Sequence, residues 1–154
     1  MTVSHQLEAL GVTLPPVAVP LGAYRPAVAD GHHVLTSGQL PMVDGALQCT
    51  GVVGDGVSVD EAAAAARTCA LNALAAAAQA AGGVDRLRGV LKVTGFVASA
   101  AGFTGQPAVL NGASEFFGEI FGDAGVHVRS AVGVAALPAG SPVEVEVVFL
   151  TVAH

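Results

Sequence analysis

A chain of 154 residues is long enough to bury a proper core and is most simply one domain. It is 53% hydrophobic and only 12% charged, against a usual charged share of about 25%. Its formal charge of −6 argues against a binder of nucleic-acid backbones, which needs a basic stripe. So little charge implies either membrane insertion or surface buried between subunits. No uninterrupted apolar run approaches the roughly 18–20 residues that span a bilayer. The Ala-rich stretch is broken by Glu61, Arg67, Asn72 and Gln79. Residues 1–10 carry His5 and Glu8 and lack the pattern of a signal peptide. A cytoplasmic homo-oligomer is therefore expected. Cys49 and Cys69 are too few for a disulfide scaffold or a zinc site and are expected as buried, reduced thiols. Tyr24 is the only tyrosine and tryptophan is absent, so platforms for stacking bases are scarce.

In chain order, His5–Leu10 reads as a short helix stopped by Gly11, and Pro15, Pro16 and Pro20 make an extended lead-in. Strands are predicted at Val17–Ala23 and His33–Ser37, with a turn at Ala29-Asp30-Gly31. Asp44-Gly45 signals a tight turn within Met42–Leu47. The Gly-rich residues 50–58 read as a loop. Ser58 and Glu61 form a capping box that opens a helix over Val59–Ala81, ended by Gly82-Gly83. Val59, Ala63, Ala66, Ala70, Leu74 and Ala77 would share its inner face. A long strand follows at Leu87–Ser99, then a helix at Ala108–Phe121 ended by Gly122–Gly125. The last strands, about Arg129–Leu137 and Val143–Val152, read as joined by a turn at Pro138–Ser141. The order predicts an α+β domain in which two helices cover one face of a mixed sheet.

Arg129 opens an otherwise apolar strand in a chain with only six lysines and arginines. A guanidinium beside a core needs an anionic partner or ligand. Glu144, on the next strand, is the nearest candidate acid in sequence. The two residues read either as a structural ion pair between adjacent strands or as parts of a site.

The ordered set Gly22-Ala23-Tyr24, Leu35-Thr36-Ser37-Gly38-Gln39-Leu40-Pro41, Asn111, Arg129-Ser130 and Glu144-Val145-Glu146 resembles the Rid (reactive intermediate deaminase), or YjgF-like, family. The match runs from about Pro20 to Val152. The resemblance implies a chorismate-mutase-like fold, a homotrimer and sites between subunits. It implies cofactor-independent, metal-free hydrolysis of enamines and imines such as 2-aminoacrylate to a keto acid and ammonia. By position, Arg129 matches the family's substrate-carboxylate arginine and Glu144 its acidic site residue. Tyr24, Ser37, Gly38 and Asn111 match the pocket lining. Ala131 stands where the family often has cysteine, a position credited with a backbone carbonyl. An N-terminal extension to about Val19 and the loop at residues 50–57 make this chain longer than typical members.

An imino acid presents a carboxylate that Arg129 can hold with two parallel hydrogen bonds, fixing the electrophilic carbon relative to water. Glu144 can order that water and relay its proton. Glu146 shares Glu144's strand face and reads as a second acid or as solvated rim. Tyr24 covers a substrate or packs at an interface. Ser37-Gly38 offers close approach or a plain turn. Asn111 is a mid-helix hydrogen-bonding group or simply exposed. His32 and His33 point to opposite strand faces, and His5, His127 and His154 lack ligand-like spacing, so no metal is expected. Ser130 has no His/Asp partnership that would mark a nucleophile. A non-catalytic binder of small carboxylates is the second reading, and endoribonuclease activity the third.

Overall fold

Thr2 caps the first helix, α1 (Val3–Ala9), its hydroxyl accepting from the His5 amide, and Gly11 at φ 65° ends it. Ser4 ties α1 to Asp85 through its amide (2.7 Å) and hydroxyl (2.8 Å), while Val3 and Leu7 are buried. In the computed structural model, which describes residues 1–153, α1 packs against the last long helix. The short helix expected at His5–Leu10 is thus present, starting two residues earlier, beside the two long helices.

The predicted strand at Val17–Ala23 is absent; residues 12–26 are irregular. Pro15, Pro16 and Pro20 have no amide hydrogen to give a ladder, so this segment cannot pair as a regular strand. Pairing begins with β1 (Ala27–Asp30) and β2 (His33–Thr36), which turn through Gly31-His32, so Ala29 and Asp30 lie in the strand. β3 (Met42–Val43) and β4 (Ala46–Leu47) double back through Asp44 and Gly45, both at positive φ, as the turn signal required. The expected loop holds two short pieces, β5 (Val52–Val53) and β6 (Gly56–Val57).

α2 (Val59–Ala81) has the predicted bounds, its capping box complete between Ser58 and Glu61 and Gly82 left-handed at its end. Ala66, Ala70, Leu74 and Ala77 are fully buried, whereas Val59 and Ala63 are half-buried. The helix packs on both the sheet and the following helix, so its alanines are buried on two sides. β7 (Leu87–Ala98) leads to α3 (Gln106–Phe121), which starts two residues earlier than predicted because Pro107 fits the first turn. A Cβ on Gly112 would overlap the Ala63 carbonyl, so glycine sets how closely α3 approaches α2. β8 (Val128–Val134) and β9 (Val143–Thr151) complete the chain.

The five-stranded sheet has the order β1-β2-β9-β7-β8, with β7 and β8 parallel and the other pairs antiparallel. β8 and β9 are therefore not a hairpin, because β7 lies between them. On β9, Val143, Val145, Val147 and Phe149 are buried beneath the helices, and Glu144, Glu146, Val148 and Leu150 alternate onto the open face. Val28, Leu35 and Val132 remain more than 40% exposed on that face.

Candidate functional site

The register separates the two residues that the sequence linked. Arg129 lies beside Val93, which pairs with Val147, on the helix-covered face. Glu144 pairs with Phe96, which lies beside Val132, on the open face. Two strand spacings and the thickness of the sheet stand between them, so the adjacent-strand ion pair is excluded. Among the described residues the one ion pair is Arg67–Glu119 at 2.6 Å, joining α2 to α3.

The first cluster surrounds Arg129 at the sheet edge. Its Nη1 donates to Asn111 Oδ1 (2.9 Å) and Ser114 Oγ (3.1 Å), and Nη2 to the Pro107 carbonyl (3.4 Å). Every acceptor is neutral. Ala131 lies two residues on along the same face of β8. Asn111 is neither idle nor simply exposed; it orients the guanidinium.

Ser114 and His127 were missed as site residues. His127 Nδ1 lies 2.6 Å from the Gly125 carbonyl oxygen and Nε2 lies 2.9 Å from Ser114 Oγ. A carbonyl only accepts, so Nδ1 carries the proton in the neutral ring and Nε2 accepts from the Ser114 hydroxyl. The hydroxyl's lone pairs are left to Arg129. Two spacings carried this signal: Ser114 is three residues beyond Asn111 on α3, and His127 is two residues before Arg129. Ser114, His127 and Arg129 line an open cleft of about 320 Å³, with Glu115 on its wall.

The second cluster forms where the chain leaves β2. Gln39 exchanges backbone hydrogen bonds with Val145, which brings Gly38 against Glu144. A Cβ on Gly38 would collide with the Glu144 carboxylate, so the absence of a side chain permits this approach. Burial pushes the Glu144 carboxyl above its ordinary pKa, and the neighbouring Glu146 charge adds to the effect. The Ser37 hydroxyl donates to the Arg25 carbonyl (2.6 Å), and its amide to that of Pro26. These bonds fix the segment carrying Tyr24, whose hydroxyl accepts from the Leu21 amide (3.1 Å). Tyr24 and Gly38 line one small cavity.

Cys69 is buried, as expected, but Cys49 is only half-buried; burial raises both thiols above their ordinary pKa. No group of three metal-ligating side chains occurs among the described residues. No described helix is long and apolar enough to cross a membrane.

Residues 4–150 match the model of the family described as "YjgF/chorismate_mutase-like, putative endoribonuclease". The chain belongs to the YjgF-like family. Protein TCP17 of Trypanosoma cruzi is 43% identical over 145 residues, covering 94% of this chain and 91% of that protein. The structure of Atu1372 from Agrobacterium tumefaciens superposes with a TM-score of 0.87 at 39% identity, over 97% of this chain and 92% of the other. E. coli TdcF with bound serine has a TM-score of 0.62 at 27% identity, over 89% of this chain and 93% of the other. The YjgF-like fold accounts for the mixed sheet, the helical layer and the open opposite face.

Proposed function

We propose that this protein hydrolyses imino acids of the 2-aminoacrylate class to keto acids and ammonia, at sites completed between copies of the chain. One observation carries the reading. Arg129 is oriented by neutral groups and Glu144 lies on the opposite face of the sheet without a cation beside it. Among the described residues, neither Arg129 nor Glu144 makes an ion pair. The exposed apolar residues of the open face supply surface for assembly, and a homotrimer of single-domain chains closes such contacts.

In the joined site, Arg129 holds the substrate carboxylate through its planar fork. Asn111 and Ser114 keep that fork oriented, and Ala131 presents its backbone carbonyl nearby. Tyr24, Ser37 and Gly38 form the other wall. Glu144 takes a proton as water attacks the imine carbon, and a carbon–oxygen bond forms. It returns the proton to nitrogen, and as the carbon–nitrogen bond breaks the new hydroxyl gives its remaining proton to the departing ammonia and becomes the keto carbonyl. No cofactor or metal enters these steps.

The bound serine of TdcF supports a second reading, a binder of small carboxylates that uses the same residues without chemistry. The test generates 2-aminoacrylate in situ and follows its loss. Arg129→Ala and Glu144→Gln should each be slow, the latter by about 10²–10⁴. Mixing the two variants under exchange should restore roughly a quarter of the wild-type sites, because each copy supplies the half the other lacks. Wild type no faster than spontaneous hydrolysis leaves the binder. Failure of the mixture to recover removes the shared site.

A further inference from the structure

The small cavity at Tyr24 and Gly38, about 40 Å³, does not end at those residues. Ala18, Val19, Pro20, Leu21 and Met42 also line a second cavity of about 680 Å³, so the two adjoin along shared side chains. The outer wall is the segment from Pro15 to Leu21. Its prolines fix φ and keep it out of the sheet ladder. The inner wall is α2 at Thr68, Leu71 and Asn72. The Asn72 amide spends both of its hydrogens on the Leu40 and Met42 carbonyls (3.0 Å each). Thr68 is likewise engaged, with Gln48. The chamber is therefore apolar where it is deep, and its one carboxylate, Asp44, is exposed.

We propose that this chamber is a subsite for the substrate's side chain, and that the enzyme takes imino acids with a slender, uncharged aliphatic chain of about four carbons. The inference rests on the deamination reading for the reacting end of the molecule. The small cavity holds more than one water-sized volume but is too narrow for a ring. Beyond it, the chamber lies within the roughly 300–1,000 Å³ of small-molecule sites. A second negative charge at the far end of the ligand would meet Asp44 and no cation.

The stable keto acids pyruvate, 2-oxohexanoate and 2-oxoglutarate serve as probes in calorimetry on the full-length protein. Each buried methylene is worth about fourfold in affinity. 2-Oxohexanoate should bind at least about tenfold tighter than pyruvate, allowing for incomplete burial of its three extra methylenes. 2-Oxoglutarate should lose this advantage. Leu71→Trp fills the chamber from α2 and should bring the 2-oxohexanoate to pyruvate ratio within about threefold of unity. In methyl spectra, 2-oxohexanoate but not pyruvate should shift Leu71 and Met42. A wild-type ratio near unity, or one that Leu71→Trp leaves intact, overturns the subsite while pyruvate binding upholds the carboxylate site. If none of the three acids binds, the carboxylate reading falls and the subsite falls with it. Should Leu71→Trp melt early, the methyl shifts in wild type decide alone.

Discussion

The two clusters reach their order by opposite means. Around Arg129, a charged group is held by a chain of neutral donors and acceptors running from the Gly125 carbonyl through His127 and Ser114. Around Glu144, close approach takes the place of hydrogen bonding. Gly38 lets backbone lie against the carboxylate, and desolvation raises its proton affinity. On the proposed reading, the first half binds an anion without neutralising itself. On the same reading, the second exchanges a proton. Within one chain the sheet keeps the guanidinium and the carboxylate apart.

Adding a side chain at the glycine breaks the second half most directly. The atom that a Cβ at Gly38 would meet is the end of a flexible side chain, so the fold should survive with Glu144 displaced. Gly38→Ala is expected to lower the deamination rate about 100-fold, in keeping with an ångström-scale misplacement. Its melting temperature should stay near wild type. Combined with Glu144→Gln it should add little, since both changes strike one group. Rates that multiply in the double variant would place Gly38's role elsewhere.

The Arg129 half should yield more gradually. Ser114→Ala removes one of the hydrogen bonds that hold the guanidinium, and its effect on affinity is indirect because Asn111 and the Pro107 carbonyl remain. Pyruvate affinity should fall by about three- to tenfold with smaller effect on turnover of bound substrate. Ser114→Thr keeps the hydroxyl and should recover most of the loss. His127→Ala should act in the same direction, because it frees the hydroxyl to rotate away. Unchanged affinity in Ser114→Ala would mean that Asn111 alone orients the arginine.

These residues also show what the sequence makes legible. α2 was readable to the residue, because capping box and terminal glycine are local signals. The strand at Val17–Ala23 failed because its apolar residues suit a strand while Pro20 within it, and Pro15 and Pro16 before it, have no amide hydrogen to give a ladder. Pairing Arg129 with Glu144 failed for a different reason. Sequence adjacency of two strands does not say that a third enters between them, and β7 does so through a parallel crossover. The individual site positions could be named from a family pattern. Their division into two clusters on opposite faces required the register. Ser114 and His127 had spacing in their favour but no chemical motif to draw notice.

The smallest effect concerns acid. In the single chain, Glu144 has a folded pKa above its unfolded value. The native state then binds the extra proton, so stability falls as pH rises from the unfolded carboxylate range through the folded pKa, and is level beyond it. Glu144→Gln should remove that slope and melt at most a few degrees above wild type at neutral pH, with the gap closing as pH falls. Assembly changes the expectation in a useful way. An arginine brought from another copy lowers the carboxyl again, since the nearby positive charge favours the ionised form. Arg129→Ala should therefore raise the Glu144 pKa, followed by carboxyl-carbon resonance, and steepen the slope in the assembled protein. Glu146 faces the same region and must be recorded beside it, because its charge moves Glu144 in the same direction. A Glu144 titration indifferent to Arg129→Ala would show that the two halves do not meet.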